Sequence, residues 1–168
     1  MTRLVRLAVS SSLALTLTSF AHAQASTWKI DPQHAAAEFS IRHMVLSNVH
    51  GHFGGVNGEI VLDPADLSKA SVKATVDVTT VDTGVAQRDT HLKSADFFDV
   101  AKYPSMTFVS KSVAKDADGY AVAGELTMHG VTEEAVMHMD APAKEQSMGP
   151  QTRRGFDATT TIHRPDLD

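Results

Sequence analysis

Apolar and polar residues alternate one for one along most of this chain, the period of a β-strand with one buried face. In Ser71 to Thr79, Val72, Ala74, Val76 and Val78 share one face, with Lys73, Thr75 and Asp77 on the other. The same period groups Tyr120, Val122, Gly124, Leu126 and Met128, then Val131, Glu133, Ala135, Met137 and Met139. Phe156, Ala158, Thr160 and Ile162 form a later group, and Ala37, Phe39 and Ile41 an earlier one. Met106 and Phe108 face one way in a strand that runs on toward Lys115. Ile60 and Leu62 end a strand begun near Asn48, and the glycines between Gly51 and Gly58 predict a bend or bulge within it.

Asp118-Gly119, His129-Gly130 and Met148-Gly149-Pro150 are turn signals that separate these runs at short intervals. Asp63 to Leu67 reads as a one-turn helix, with Asp63 as its cap and Pro64 in its first position. Val85 to Phe98 is the one segment of useful helical length, in two short pieces split at Ser94. About seven or eight strands on short turns predict an all-β sandwich or barrel. The two-residue period does not choose between them.

The first 23 residues are read as a leader rather than as fold. Arg3 and Arg6 precede an apolar, Ser- and Thr-containing run from Leu7 to Phe20, and Ala21-His22-Ala23 gives a small-x-small cleavage signal before Gln24. Ala23-Gln24-Ala25 is a second such signal, and a retained amphipathic anchor is the alternative. The run is short of the roughly 20 apolar residues that a membrane span needs. The expectation is export to the periplasm as a soluble chain, with residues 24–168 forming a single domain. The sequence has no cysteine, so no disulfide, no lipid-modified cysteine and no thiolate metal site is available. Two of its 15 basic residues lie in the leader, leaving 13 against 20 acidic ones, or −7. That balance argues against nucleic acid or anionic lipid surfaces as partners, since both reward clustered Lys and Arg.

Gln87 to Pro104 departs from the alternation. It sets Arg88, Asp89, His91 and Lys93 beside Phe97-Phe98 and ends on Tyr103-Pro104, a mixture suited to a lid where polar groups meet an apolar interior. Asp31-Pro-x-His34, Phe39-x-Ile-x-His43-Met44, Val49-x-Gly-x-Phe53, Arg88-Asp89-x-His91-Leu92 and Asp96-Phe97-Phe98-Asp99 stand in one order. Tyr103-Pro104-x-Met-x-Phe108, Gly124-x-Leu-Thr-x-His129-Gly130-Val131-Thr132 and Ile162-x-Arg164 follow. In order and spacing the chain from Trp28 onward resembles the YceI-like family. The resemblance implies a lipocalin-like antiparallel β-barrel of about eight strands that holds a long amphiphilic lipid, typically a polyisoprenoid, and a periplasmic or secreted location. One departure stands out. The family pattern continues through Arg-x-Asp-Phe-Gly into a final strand, whereas here Leu167 replaces the Phe and Asp168 the Gly. A barrel lacking its last strand is therefore expected, with open edges that invite strand exchange, aggregation or a homodimer; a truncated product and a last strand supplied by a partner chain are the alternatives.

With that resemblance, the apolar faces nominate Phe39, Ile41, Val76, Phe97, Phe98, Met106, Phe108, Leu126, Met128, Met137, Met139 and Phe156 as ligand lining. Arg88, His91 and Lys93 would meet the headgroup at the mouth, and an Arg88–Asp89 pair that pins the segment is the competing reading. An ordinary packed core is the alternative for the apolar set. A metal-assisted enzyme on His43, His50 and His52 is a rival, because His50-x-His52 puts two imidazoles on one strand face. A strand-accepting interaction module is another. No nucleophile elbow, phosphate loop, dinucleotide fingerprint or His-Glu-x-x-His is present, so no reaction class and no cofactor are expected.

Overall fold

The computed structural model describes residues 25–44, 46–63 and 65–162. The leader, the helical position of Pro64 and the departure at Leu167 and Asp168 lie outside the described residues. Among the described residues eleven strands and one α-helix form: β1 Ser26–Lys29, β2 Ala37–His43, β3 Ser47–Phe53, β4 Asn57–Leu62, β5 Ser71–Asp77, α1 Ala86–Lys93, β6 Ser105–Lys115, β7 Gly119–Met128, β8 Val131–Asp140, β9 Gln146–Met148, β10 Gln151–Arg153 and β11 Ala158–Thr159. Seven of them, in the order β1-β4-β5-β6-β7-β8-β11, make one antiparallel sheet curled into a half-barrel. The pairs β2–β3 and β9–β10 are separate two-stranded hairpins.

The alternation predicts the centre of this sheet well. Phe108 pairs with Leu126, Gly124 with Ala135, Val122 with Met137 and Tyr120 with Met139. Paired residues share a face, so every member of the apolar row falls on the concave side. The β7–β8 turn is the tight hairpin expected from His129-Gly130, both left-handed with φ of 52° and 77°. Strand β6 holds a feature that the period missed. Ser110 pairs with Gly124 but Ser112 with Ala123, so Lys111 is an extra, bulged residue. The bulge moves the inward phase from even to odd positions and brings Val113 opposite Val122. Lys111 extends to Glu125 and Glu134, at 2.9 and 3.0 Å.

Four expectations need correction. The strand from Asn48 to Leu62 is two strands in different sheets, because Gly55 adopts a left-handed φ of 61° that cannot continue a ladder. Val78 leaves β5: the Asp77 carboxylate accepts from the Thr79 N–H and caps a 3₁₀ turn over Val78–Thr80, although Val78 stays buried. Asp63 does accept from the Ala65 and Asp66 N–H groups, but the helical turn that follows is Leu67–Lys69, capped by Asp66. The last predicted strand shrinks to Ala158–Thr159, paired only with Met139 and His138. The Asp157 carbonyl accepts from the Asp140 N–H and the Gly155 carbonyl from the Ala143 N–H, and Phe156 and Ile162 are exposed.

The core divides into two clusters. Ile60, Val72, Phe108, Val122 and Met139 form one, with Trp28, Val113, Leu126 and Met137 packed on it. Phe53, Val78, Val81 and Met106 form the other, with Phe39, Val76, Leu92, Phe98 and Met128 around them. Val122 is wholly buried, so Val122→Ala should cost about 2 kcal/mol in a denaturant titration, with an unchanged m-value. Lys111→Ala, on exposed ion pairs, should cost less than about 1 kcal/mol. Equal losses would contradict this placement of the core.

Candidate functional site

The segment between β5 and β6 covers one end of the half-barrel. Helix α1 has no side-chain cap on its first residue, and its start is fixed instead through Thr83. The Thr83 hydroxyl donates to the Asp89 carboxylate (2.6 Å) and accepts from Arg88 Nε (2.7 Å). The Thr83 N–H donates to Asp89 (2.9 Å), and Arg88 Nη2 donates to the Thr83 carbonyl (3.0 Å). Arg88 and Asp89 thus pin the segment by converging on Thr83, a residue that sequence reasoning passed over. A hydroxyl a few residues ahead of an acid in a first helical turn was the available signal.

The helix ends at Ser94, whose hydroxyl donates to the His91 carbonyl. Asp99, with a left-handed φ of 44°, then folds the chain back: its N–H donates to the Ser94 carbonyl, and the Phe98 N–H donates to that of Leu92. This fold-back inserts Leu92, Phe98 and Val100 into the second cluster. Phe98 meets Phe53 edge-on at 5.5 Å, and Phe53 meets Phe39 at 5.3 Å. The lid is therefore joined through three aromatic rings to the base of the β2–β3 hairpin.

Nine of the twelve nominated lining residues lie in or against the two clusters: Phe39, Val76, Phe98, Met106, Met128, Phe108, Leu126, Met137 and Met139. Met106, Phe108 and Met139 are buried, whereas Phe39, Val76, Phe98, Leu126, Met128 and Met137 are half-buried. The other three sit elsewhere. Phe97 packs edge-on against His91 at 4.7 Å. Ile41 is 54% exposed on the outer half of its hairpin. Phe156 borders a surface hollow with Asp140, Ala141, Ala143, Gly155 and Asp157.

At the mouth, Arg88 and Lys93 are half-buried and His91 is exposed, 3.7 Å from Asp96. Helical spacing puts Arg88 and His91 on one side of α1 and turns Lys93 away by about 140° from Arg88. The three imidazoles of the metal reading are not assembled. His43 pairs with Ser47, and His50 with Ser40, so the register places His43 on the opposite face of the hairpin from His50 and His52. Among the described residues no group of three or more His, Cys, Asp or Glu stands ready to hold a metal.

At the far end, residues from the β9–β10 hairpin reach the first strand. The Arg154 guanidinium lies 5.4 Å over the Trp28 ring, and Arg153 is 3.4 Å from Asp31. The Gln33 N–H and the His34 side chain hold the Asp31 carboxyl below its usual range, with smaller help from Arg153. These contacts join the end of the β9–β10 hairpin to β1 and the loop after it, without a hydrogen-bonded ladder.

Comparison with known proteins agrees with this architecture. The model of the YceI-like domain matches residues 28–168. A UPF0312 protein of Pectobacterium atrosepticum is 38% identical over 156 residues, covering 90% of this chain and 80% of its own. Protein YceI of Escherichia coli is 37% identical over 148 residues, 87% of this chain and 78% of its own. Among solved structures, BcnA of Burkholderia cenocepacia superposes with a TM-score of 0.59 at 25% identity, over 73% of each chain. The YCEI protein of Campylobacter jejuni has the same fold, with a TM-score of 0.55 at 24% identity over 80% of this chain and 97% of its own.

Thr83→Val keeps the shape of residue 83 and removes its hydroxyl. It should lower stability by about 1–2 kcal/mol and speed amide exchange over residues 84–93 more than in β7. Uniform exchange across the chain would contradict the pinning role of Thr83.

Proposed function

The chain belongs to the YceI-like family, and we propose that it is a periplasmic binding protein that holds a long amphiphilic isoprenoid-type lipid. The lipid lies against the concave face of the half-barrel. One observation carries the reading: Phe39, Val76, Phe98, Leu126, Met128 and Met137 are only partly buried where they pack against the two core clusters. Apolar surface left open in a row disfavours the free protein, at about 25 cal/mol per Å², and such patches mark binding grooves. Methionine suits a ligand of irregular outline, because its unbranched side chain repacks readily.

The dimensions fit a long tail. A ten-residue strand such as β7 runs about 33 Å, enough for several isoprene units end to end. Each buried methylene contributes about 0.8 kcal/mol, so partial coverage of a tail already gives useful affinity. The lid end would receive the headgroup. Arg88 uses Nε and Nη2 on Thr83, and a guanidinium carries five N–H donors, which leaves donors for a phosphate or quinone oxygen. The lipid is stored, shielded or carried, and no bond in it is changed. The leader read in residues 1–23 supports export to the periplasm, where such a lipid needs cover from water.

Titration with prenyl alcohols of increasing length, followed by the fluorescence of Trp28, tests the reading. Affinity should rise with each isoprene unit and level off once the face is covered. Met137→Lys and Leu126→Lys should each weaken the longest alcohol about tenfold or more. Affinity independent of length, or untouched by both substitutions in folded protein, would count against a lipid on this face. Arg88→Ala should weaken a prenyl diphosphate and spare the alcohol of equal length. Equal loss for both would make Arg88 purely a pin for the lid.

A further inference from the structure

Residues 141–157, which link β8 to β11 and carry the β9–β10 hairpin, add nothing to either core cluster. Among the described side chains of this segment only Pro142 and Arg154 are half-buried, and the rest are exposed. Its root is fixed at the end of β8, where the Asp140 N–H donates to the Asp157 carbonyl and the Ala143 N–H to the Gly155 carbonyl. Its outer part touches Trp28 of β1 and Asp31 just beyond, and β1 lies at the opposite edge of the seven-stranded sheet from β11. The segment is a strap that starts and ends at one edge of the half-barrel and is fastened at the other.

The fastening lies on the concave side. Trp28 pairs with Ile60, and Ile60 with Val72, so the Trp28 ring shares the face of the first cluster. The Arg154 guanidinium covers that ring at 5.4 Å. Arg154 also donates from Nε to the Ala143 carbonyl (3.1 Å) and lies 3.7 Å from Glu145, contacts within the strap that aim the guanidinium. Arg153 adds an ion pair to Asp31 at 3.4 Å. Both fastenings are polar, and an exposed ion pair or cation–π contact shifts an equilibrium by only about fivefold. Contacts this weak let the strap part from β1 and reclose while the core stays packed. A tail that reaches the first cluster would lie beside Trp28 and be covered by the closed strap.

We propose that the strap of residues 141–157 is a gate through which the lipid enters and leaves the concave face, latched by Arg154 on Trp28 and by Arg153 on Asp31. The opening is the seam between the strap and β1. This rests on the reading of the concave face as the lipid site and adds the route into it.

Exchange kinetics test the gate. Loading of a tritium-labelled prenyl alcohol from detergent micelles, and its release to excess phosphatidylcholine vesicles, would be timed in the unaltered chain and in Arg153→Gln with Arg154→Gln. Both rates should rise about fivefold or more in the variant, with equilibrium affinity changed less than about twofold, because an unlatched gate speeds passage in both directions. The sequence has no cysteine, so Asp31→Cys with Arg153→Cys can be joined specifically by a short cleavable cross-linker. Exchange should slow about tenfold or more in the cross-linked protein and recover on cleavage. Faster release with unchanged loading would make the two arginines ordinary ligand contacts and overturn the gate. Cross-linked protein that exchanges as fast as the cleaved form would also overturn it, and would leave the carrier reading standing. No uptake of the alcohol by the unaltered chain would sink both.

Discussion

A side chain in an antiparallel sheet has two directions open to it, and the hydrogen-bond register removes the choice. Once Phe108 is set opposite Leu126 and Val122 opposite Met137, every second residue of β6, β7 and β8 is committed to one face. A slip of one residue would turn the whole apolar row to water. The irregularity in this register, the bulge at Lys111, changes the inward phase of β6 between Phe108 and Val113, so that both still pack in the first cluster. The concave face, its two clusters and the half-exposed row between core and solvent all follow from this constraint.

The lid and the hairpin are secondary attachments to that face, and each is held by few interactions. Thr83 joins Asp89 and Arg88 by hydrogen bonds of 2.6 to 3.0 Å, and Phe53 joins Phe39 and Phe98 by ring contacts. No residue of α1 is fully buried. A short helix that packs only Leu92 on the core depends largely on its end contacts, so it opens more easily than the sheet. Such a lid suits a groove that must admit and release a long molecule.

Much of the sheet was legible because period-2 patterning and register express the same geometry. The faces of β7 and β8, the turn at His129-Gly130 and the helix ending at Ser94 could all be read from residue order. The misreadings have specific causes. Ile41 and Phe156 alternate as a buried strand would, but one lies on a hairpin that leaves the sheet and the other before a two-residue strand. The imidazoles of His43, His50 and His52 are near in sequence, and only the register shows that His43 faces away from the other two. Thr83 was missed because its role depends on a helix start that no cap residue announces. The bulge at Lys111 left one trace, the shift from Met106 and Phe108 to Val113.

The central claim is that the half-exposed row on the concave face is covered by a lipid. The most direct test is a native mass spectrum of the protein purified from a bacterium with ordinary isoprenoid metabolism, followed by organic extraction. The account predicts a monomer with one discrete additional mass, recovered in the organic phase as a prenyl lipid. A bare chain, or a dimer whose interface protects Leu126, Met128 and Met137 without any lipid, would contradict it.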